Sequence, residues 1–131
     1  MSAPKALAEA TEYCPTSTRE RMAEAATLIL DVRSAEDVAL LRADVPDWRH
    51  IPLEELETRY EELPRERDIV VVSVDGAQSL KGTYFLMYQG FTRVANMQMG
   101  LKQWVRREFP VIGDVAAWQA KHPAGESEGC C

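Results

Sequence analysis

The stretch Ile69-Val70-Val71-Val72-Ser73-Val74-Asp75-Gly76-Ala77-Gln78-Ser79-Leu80-Lys81 decides how this chain is read. Its first four residues are all β-branched, which suits a strand buried on both faces. A short polar loop, Ser73 to Gln78, follows it. The loop feeds a helix on which Leu80, Tyr84, Met87 and Tyr88 recur as an apolar stripe. Gly90 stands where a C-cap glycine belongs. A buried strand running through a short loop into a helix is half of a strand–helix–strand unit.

The flanks repeat the pattern. Thr27-Leu28-Ile29-Leu30-Asp31-Val32 is a second short apolar run of the kind buried parallel strands show. Before it, Tyr13-Cys14-Pro15 reads as a short strand entering a helix. Ser17-x-x-Glu20 has capping-box spacing, with Met22, Ala25 and Ala26 on one face. After it, Ser34-x-x-Asp37 starts a helix carrying Val38 and Leu41. Pro46 and Pro52 bracket an extended piece from Trp48 to Ile51. Leu53, Leu56, Tyr60 and Leu63 then form a helical stripe that Pro64 ends. Downstream, Arg93-Val94-Ala95 reads as a strand. Leu101, Trp104, Val105 and Phe109 read as a helix with Arg106 and Arg107 near its C-terminus. Asp114 caps a short final helix through Trp118. Strand and helix alternate over short connections, so an α/β fold is expected: a parallel sheet, helices on both faces, right-handed crossovers.

Composition bounds the rest. The chain has 131 residues, which suggests one domain able to bury roughly two-thirds of its unfolded surface. A net charge of −6 argues against nucleic acid and, more weakly, against anionic lipid as partner. No apolar run approaches the roughly 20 residues that span a bilayer. The N-terminal MSAPKALAEATEY lacks a signal-type apolar core, so a cytoplasmic location is expected. The three cysteines, Cys14, Cys130 and Cys131, are too few for a disulfide framework, and His50 and His122 lie in no usual zinc spacing. No metal and no cofactor is expected. Cys14 reads as a small apolar side chain packed near the first strand. Residues 1–12 are taken as an N-terminal arm, 13–112 as the domain, and 113–131 as a short helix with a flexible tail ending in Cys130-Cys131.

In parallel sheets ligands sit at the carboxyl ends of strands. The loop Ser73–Ser79 occupies such an end, before a helix N-terminus whose amides favour an anion. Taken alone, the residues indicate an α/β domain with a candidate anion cradle.

Five pieces, in order and with matching spacing, carry a resemblance: Leu28-Ile29-Leu30-Asp31-Val32-Arg33; Val45-Pro46 with His50-Ile51-Pro52-Leu53-Glu54-Glu55-Leu56; Ile69–Val72; Gln89-Gly90-Phe91-Thr92-Arg93-Val94; and Met99-Gly100-Leu101-Lys102-Gln103-Trp104. Together, over about residues 13–112, they resemble a single-domain rhodanese-like (thiosulfate sulfurtransferase-type) domain. That resemblance implies a central parallel sheet of about five strands with helices on both faces. It also implies a six-residue active loop that begins with a persulfide-forming cysteine, usually ends with arginine, and is followed by serine. Laid on that pattern, the loop is Ser73-Val74-Asp75-Gly76-Ala77-Gln78 followed by Ser79. Ser73 holds the cysteine position, Gln78 the arginine position, and Asp44 a position upstream where the family often has histidine.

These departures have chemical consequences. Serine cannot hold sulfane sulfur as a persulfide, and its hydroxyl is a weak nucleophile without a base. Gln78 offers a neutral amide where arginine offers a charged fork, and Asp75 repels an anion, which Lys81 partly offsets. Ser73 can be read as a loop serine bonded to its own backbone, as an engineered cysteine-to-serine change (which the concurrent Gln78 argues against), or as a nucleophile needing His50 or His122 as base. Asp31 and Arg33 read as a supporting ion pair beside the loop. Trp48, Trp104 and Trp118 read as packing residues, and Glu54, Glu55, Glu57, Glu61 and Glu62 as a solvated face.

Three functions follow as expectations: a binding or regulatory module of sulfur metabolism, inactive by the loop-cysteine mechanism; a sulfur-relay protein using Cys130 and Cys131, served by a sulfur donor or acceptor protein; and a small-anion or metabolite binder using loop 73–79. Against the relay, Glu126 and Glu128 would raise the pKa of nearby thiols.

Overall fold

The computed structural model describes residues 8–123. Strand β1 (Thr11–Tyr13) leads into helix α1 (Pro15–Glu24), and β2 (Thr27–Asp31) into α2 (Ala35–Leu40). Short strands β3 (Leu41–Ala43) and β4 (Trp48–His50) precede α3 (Leu53–Arg59), which tightens into a 3-10 turn over Tyr60–Glu62. The central strand β5 (Asp68–Val72) and α4 (Ala77–Tyr88) follow, then β6 (Val94–Met97), α5 (Gly100–Arg106), β7 (Val111–Gly113) and α6 (Val115–Lys121).

A parallel five-stranded sheet runs in the order β1-β6-β5-β2-β4. Side chains alternate across it. Leu28, Leu30, Val32, Ile69 and Val71 meet Leu56 of α3 and Leu86 of α4 on one face. Ile29, Val70, Val72, Ala95 and Met97 meet Leu101 and Trp104 of α5 and Trp118 of α6 on the other. Strands β2 and β5 carry the continuous apolar runs Leu28–Leu30 and Ile69–Val72 because both faces are covered.

Several local expectations change. The first strand is Thr11–Tyr13, so it starts inside the stretch assigned to the arm and pairs with β6 at the sheet edge. Ser17 does not cap α1. Pro15 already occupies the first helical position after Cys14, and the Sγ of half-buried Cys14 lies 3.5 Å from Ser17 Oγ. Leu41 belongs to β3, which pairs antiparallel with β7 in a small second sheet the sequence did not announce. The division at residue 112 therefore cuts β7, and buried Trp118 ties α6 to the core.

Helix α4 is rotated from its expected stripe. It buries Ser79, Gly82, Thr83 and Leu86, while Tyr88 is 81% exposed. Small residues win this face because the helix lies close to β5. A Cβ on Gly82 would already touch Leu53, Leu56 and Val71 at 3.5 Å. Thr83 satisfies its own hydroxyl by donating to the Ser79 carbonyl at 2.8 Å.

Candidate functional site

The loop between β5 and α4 is seated by backbone contacts to the segment after β6. Leu101 N donates to the Ser73 carbonyl at 2.9 Å, and Lys102 N to the Val74 carbonyl at 3.0 Å. Two glycines with positive φ make this approach possible. A Cβ on Gly76 would stand 3.0 Å from Met99 N, and one on Gly100 would stand 2.4 Å from the Val74 carbonyl oxygen. Asn96 steadies the turn by donating to the Gly76 carbonyl at 3.3 Å and to Glu12 at 2.9 Å.

Ser73 sits at the centre of the loop and is 2% exposed. Its Oγ accepts from Gly76 N and from Ser79 N, each at 3.1 Å, and donates to Ser79 Oγ at 2.8 Å. The hydroxyl thus takes the place at which the loop amides converge. Exposed Asp75 adds a local bond, its Oδ1 accepting from Ala77 N at 3.0 Å. The amides of Gly76, Ala77 and Ser79 therefore already have acceptors inside the loop.

The loop forms one wall of an open cleft of about 490 Å³. Val74, Asp75, Ala77, Gln78 and Lys81 line it from this side, and Arg33, Ser34 and Asp37 from the other. Ser34 and Asp37 were legible only as a helix start, and they do cap α2: Asp37 N donates to Ser34 Oγ at 3.2 Å. Their position in the cleft follows from β2 and β5 being neighbours, which sequence spacing does not reveal.

Arg33 is buried with Asp31 in a two-pronged pair, Nε to Oδ1 at 2.9 Å and Nη2 to Oδ2 at 2.8 Å. The guanidinium also donates to the Leu41 carbonyl at 2.6 Å and, through Nη1, to the Asp37 carbonyl at 3.4 Å. The guanidinium is thereby committed to holding β2 against β3. Asp37 is met from α6 by Lys121 at 2.7 Å and His122 at 3.2 Å. Burial pushes the Asp37 carboxyl up, but hydrogen bonds and charge from Lys121 and His122 outweigh it and hold the group below its usual value. Asp75 and Lys81 on the rim carry opposite charges, so the cleft has no strong excess of either sign.

Neither histidine engages Ser73. His50 Nε2 donates to the Arg33 carbonyl at 2.7 Å, and its ring stacks beside Trp48. His122 faces Asp37. Among the described residues no group of three or more His, Cys, Asp or Glu could hold a metal ion, and no helix is long and apolar enough to cross a membrane. Cys130 and Cys131 lie outside the described residues.

Comparison with known proteins agrees with this geometry. The rhodanese-like domain pattern matches residues 15–107. A sulfurtransferase of Allochromatium vinosum is 31% identical over 97 residues, covering 73% of this chain and 89% of that protein. A Bacillus subtilis protein named as a candidate sulfur carrier, YrkF, is 36% identical over 76 residues, which cover 58% of this chain but only 40% of that protein. The crystal structure of a rhodanese-related protein from Thermoplasma volcanium superposes with a TM-score of 0.71 at 21% identity, over 79% of this chain and 99% of that one, a likeness of fold. With sheet order, loop position and sequence pattern all in agreement, the chain belongs to the rhodanese-like domain family.

Proposed function

We propose that this domain does not run the loop-cysteine sulfurtransferase reaction and acts instead as a binding or regulatory module of sulfur metabolism. One observation carries the reading. The side chain at the centre of the loop is a buried serine hydroxyl that accepts two loop amides and gives its proton to Ser79. An oxygen so placed serves as scaffold. It cannot form a persulfide, and no histidine is positioned to make it a nucleophile. Three of the loop amides, those of Gly76, Ala77 and Ser79, are bonded internally, which favours recognition of a larger group over the cleft rather than of a small anion.

A second reading has support from the B. subtilis relative named as a candidate sulfur carrier. In it, Cys130 or Cys131 carries the sulfane sulfur, exchanging it with a donor or acceptor protein by thiolate attack.

The experiment exposes reduced protein to thiosulfate and to glutathione persulfide. It follows sulfur-transfer turnover and intact mass, on the full chain, on a chain lacking Cys130 and Cys131, and on Ser73→Cys with Gln78→Arg. The binding-module reading expects no turnover from the natural loop and a gain of one sulfur on the restored loop. Turnover by the natural chain that disappears in Ser73→Ala overturns it. Sulfur addition that requires the cysteine pair establishes the carrier reading; a full chain that gains no sulfur rejects it.

A further inference from the structure

The cleft beside the loop, about 490 Å³ in volume, has the size of a small-ligand site. Most charges in its walls are already matched. Arg33 is held by Asp31. Asp37 is held by Lys121 and His122, and Lys121 also lies 3.5 Å from Glu36. Two charges are left facing the opening. Asp75 and Lys81 are exposed and line the cleft, and neither has an ion pair among the described residues. Asp75 Oδ1 accepts from Ala77 N, which leaves Oδ2 for an incoming group. Gln78 lies between the two in the chain, and its exposed carboxamide has no hydrogen bond among the described residues. On the other wall Ser34 Oγ accepts from Asp37 N, so its hydroxyl proton remains to be donated.

We propose that this cleft binds a short peptide with free termini, a di- or tripeptide zwitterion. The inference rests on the reading of the domain as a binding module and names the class of ligand. A lone anion drawn to Lys81 meets the charge of Asp75, and a lone cation drawn to Asp75 meets that of Lys81. A ligand carrying both signs satisfies both groups.

Spacing selects the length of that ligand. Asp75 is bonded to Ala77 at the start of α4. Lys81 shares the helix face of Ala77 and stands one turn further, about 6 Å along the axis. A single α-amino acid holds its ammonium and carboxylate on one carbon and is too short for that gap. Each added residue lengthens the ligand by roughly 3.5 Å, so two or three residues bring the ammonium to Asp75 and the carboxylate to Lys81. The peptide group between them then passes Gln78. A carboxamide both donates and accepts, as a peptide group does, whereas a guanidinium in that place would only donate.

The test records nitrogen-15 spectra of the full chain at neutral pH during titration with triglycine, N-acetyl-triglycine and triglycine amide. Triglycine should move the Asp75 and Lys81 amides and the Gln78 side-chain amide, with an affinity on the order of millimolar for a ligand of this size. Blocking either terminus should weaken binding about two- to fivefold, the range of one exposed ion pair. Lys81→Gln should make triglycine and its amide bind alike, and Asp75→Asn should make triglycine and its acetylated form bind alike. Both positions are exposed, and asparagine can still accept from Ala77 N, so the loop is kept. Three results overturn the proposal: triglycine leaves these amides unmoved, the three peptides bind the natural chain alike, or sodium acetate moves the amides as far as triglycine does at equal concentration, since an anion alone then suffices. Failure of the binding-module reading shows separately, as sulfur-transfer turnover by the natural loop in the experiment above.

Discussion

Replacing Ser73 by alanine tests whether the loop is organised around its hydroxyl. The substitution deletes one oxygen that accepts from Gly76 N and Ser79 N at 3.1 Å and donates to Ser79 Oγ at 2.8 Å. With Ser73 only 2% exposed, water cannot replace these bonds without opening the loop. Each net hydrogen bond contributes about 1 kcal/mol, and each buried N–H left without an acceptor costs about 1–3 kcal/mol. Relaxation recovers part of that, so Ser73→Ala should lose about 2–4 kcal/mol. For a chain of this size roughly 4 °C of Tm accompanies each kcal/mol, giving a fall of roughly 8–16 °C. Urea titration read by tryptophan fluorescence, with calorimetry for Tm, measures the loss. Ser79→Ala removes one of the same bonds and should lose about 1 kcal/mol, and the double variant should lose less than the sum because the two share a bond. A Ser73→Ala change within about 0.5 kcal/mol of the parent, the range of an ordinary surface substitution, would falsify the account of Ser73 as scaffold.

Asp37 should make the anchoring of α6 acid-sensitive. Its carboxyl is held below its ordinary 3.8 in the folded protein, so its contribution is complete above that value and is lost as pH falls through the folded pKa. In melts at neutral pH Asp37→Asn should be the less stable protein, and well below pH 3.8 the difference should close; a gap that widens on acidification contradicts the assignment. Gly100→Ala should be worse than Gly90→Ala. Both have positive φ, but the new Cβ at Gly100 meets the Val74 carbonyl oxygen at 2.4 Å, whereas at Gly90 it meets the movable Arg65 guanidinium at 3.3 Å. Strain alone costs about 1–3 kcal/mol at each site. At Gly100 the loop must also shift, which chemical shifts of Val74 to Gly76 will report.

Much of the domain was legible because its signals are local. The apolar runs Thr27–Asp31 and Asp68–Val72 are strands by composition, and being covered on both faces leaves them no alternation to confuse with a helix. Ser34 and Asp114 cap helices through bonds within three residues of themselves. Ser73 and Gln78 could be placed in the loop because the loop lies between a strand and a helix that are both marked by local signals.

What the sequence left open depends on pieces far apart in the chain. The hydrophobic stripe of α4 misleads because Tyr84 and Tyr88 outweigh Gly82 and Thr83 in hydrophobicity, while closeness to β5 selects the small residues. The β3–β7 pair joins segments some seventy positions apart, and the ion pairs of Asp37 span about as much. That Arg33 is spent on Asp31 and the Leu41 carbonyl, and that Asp75 turns back onto Ala77, are matters of geometry. Residue types alone determined that this loop cannot carry sulfur as a persulfide; the tertiary structure alone decided that its serine is a buried hydrogen-bonding centre, because only folding sets the distances between a hydroxyl and the amides around it.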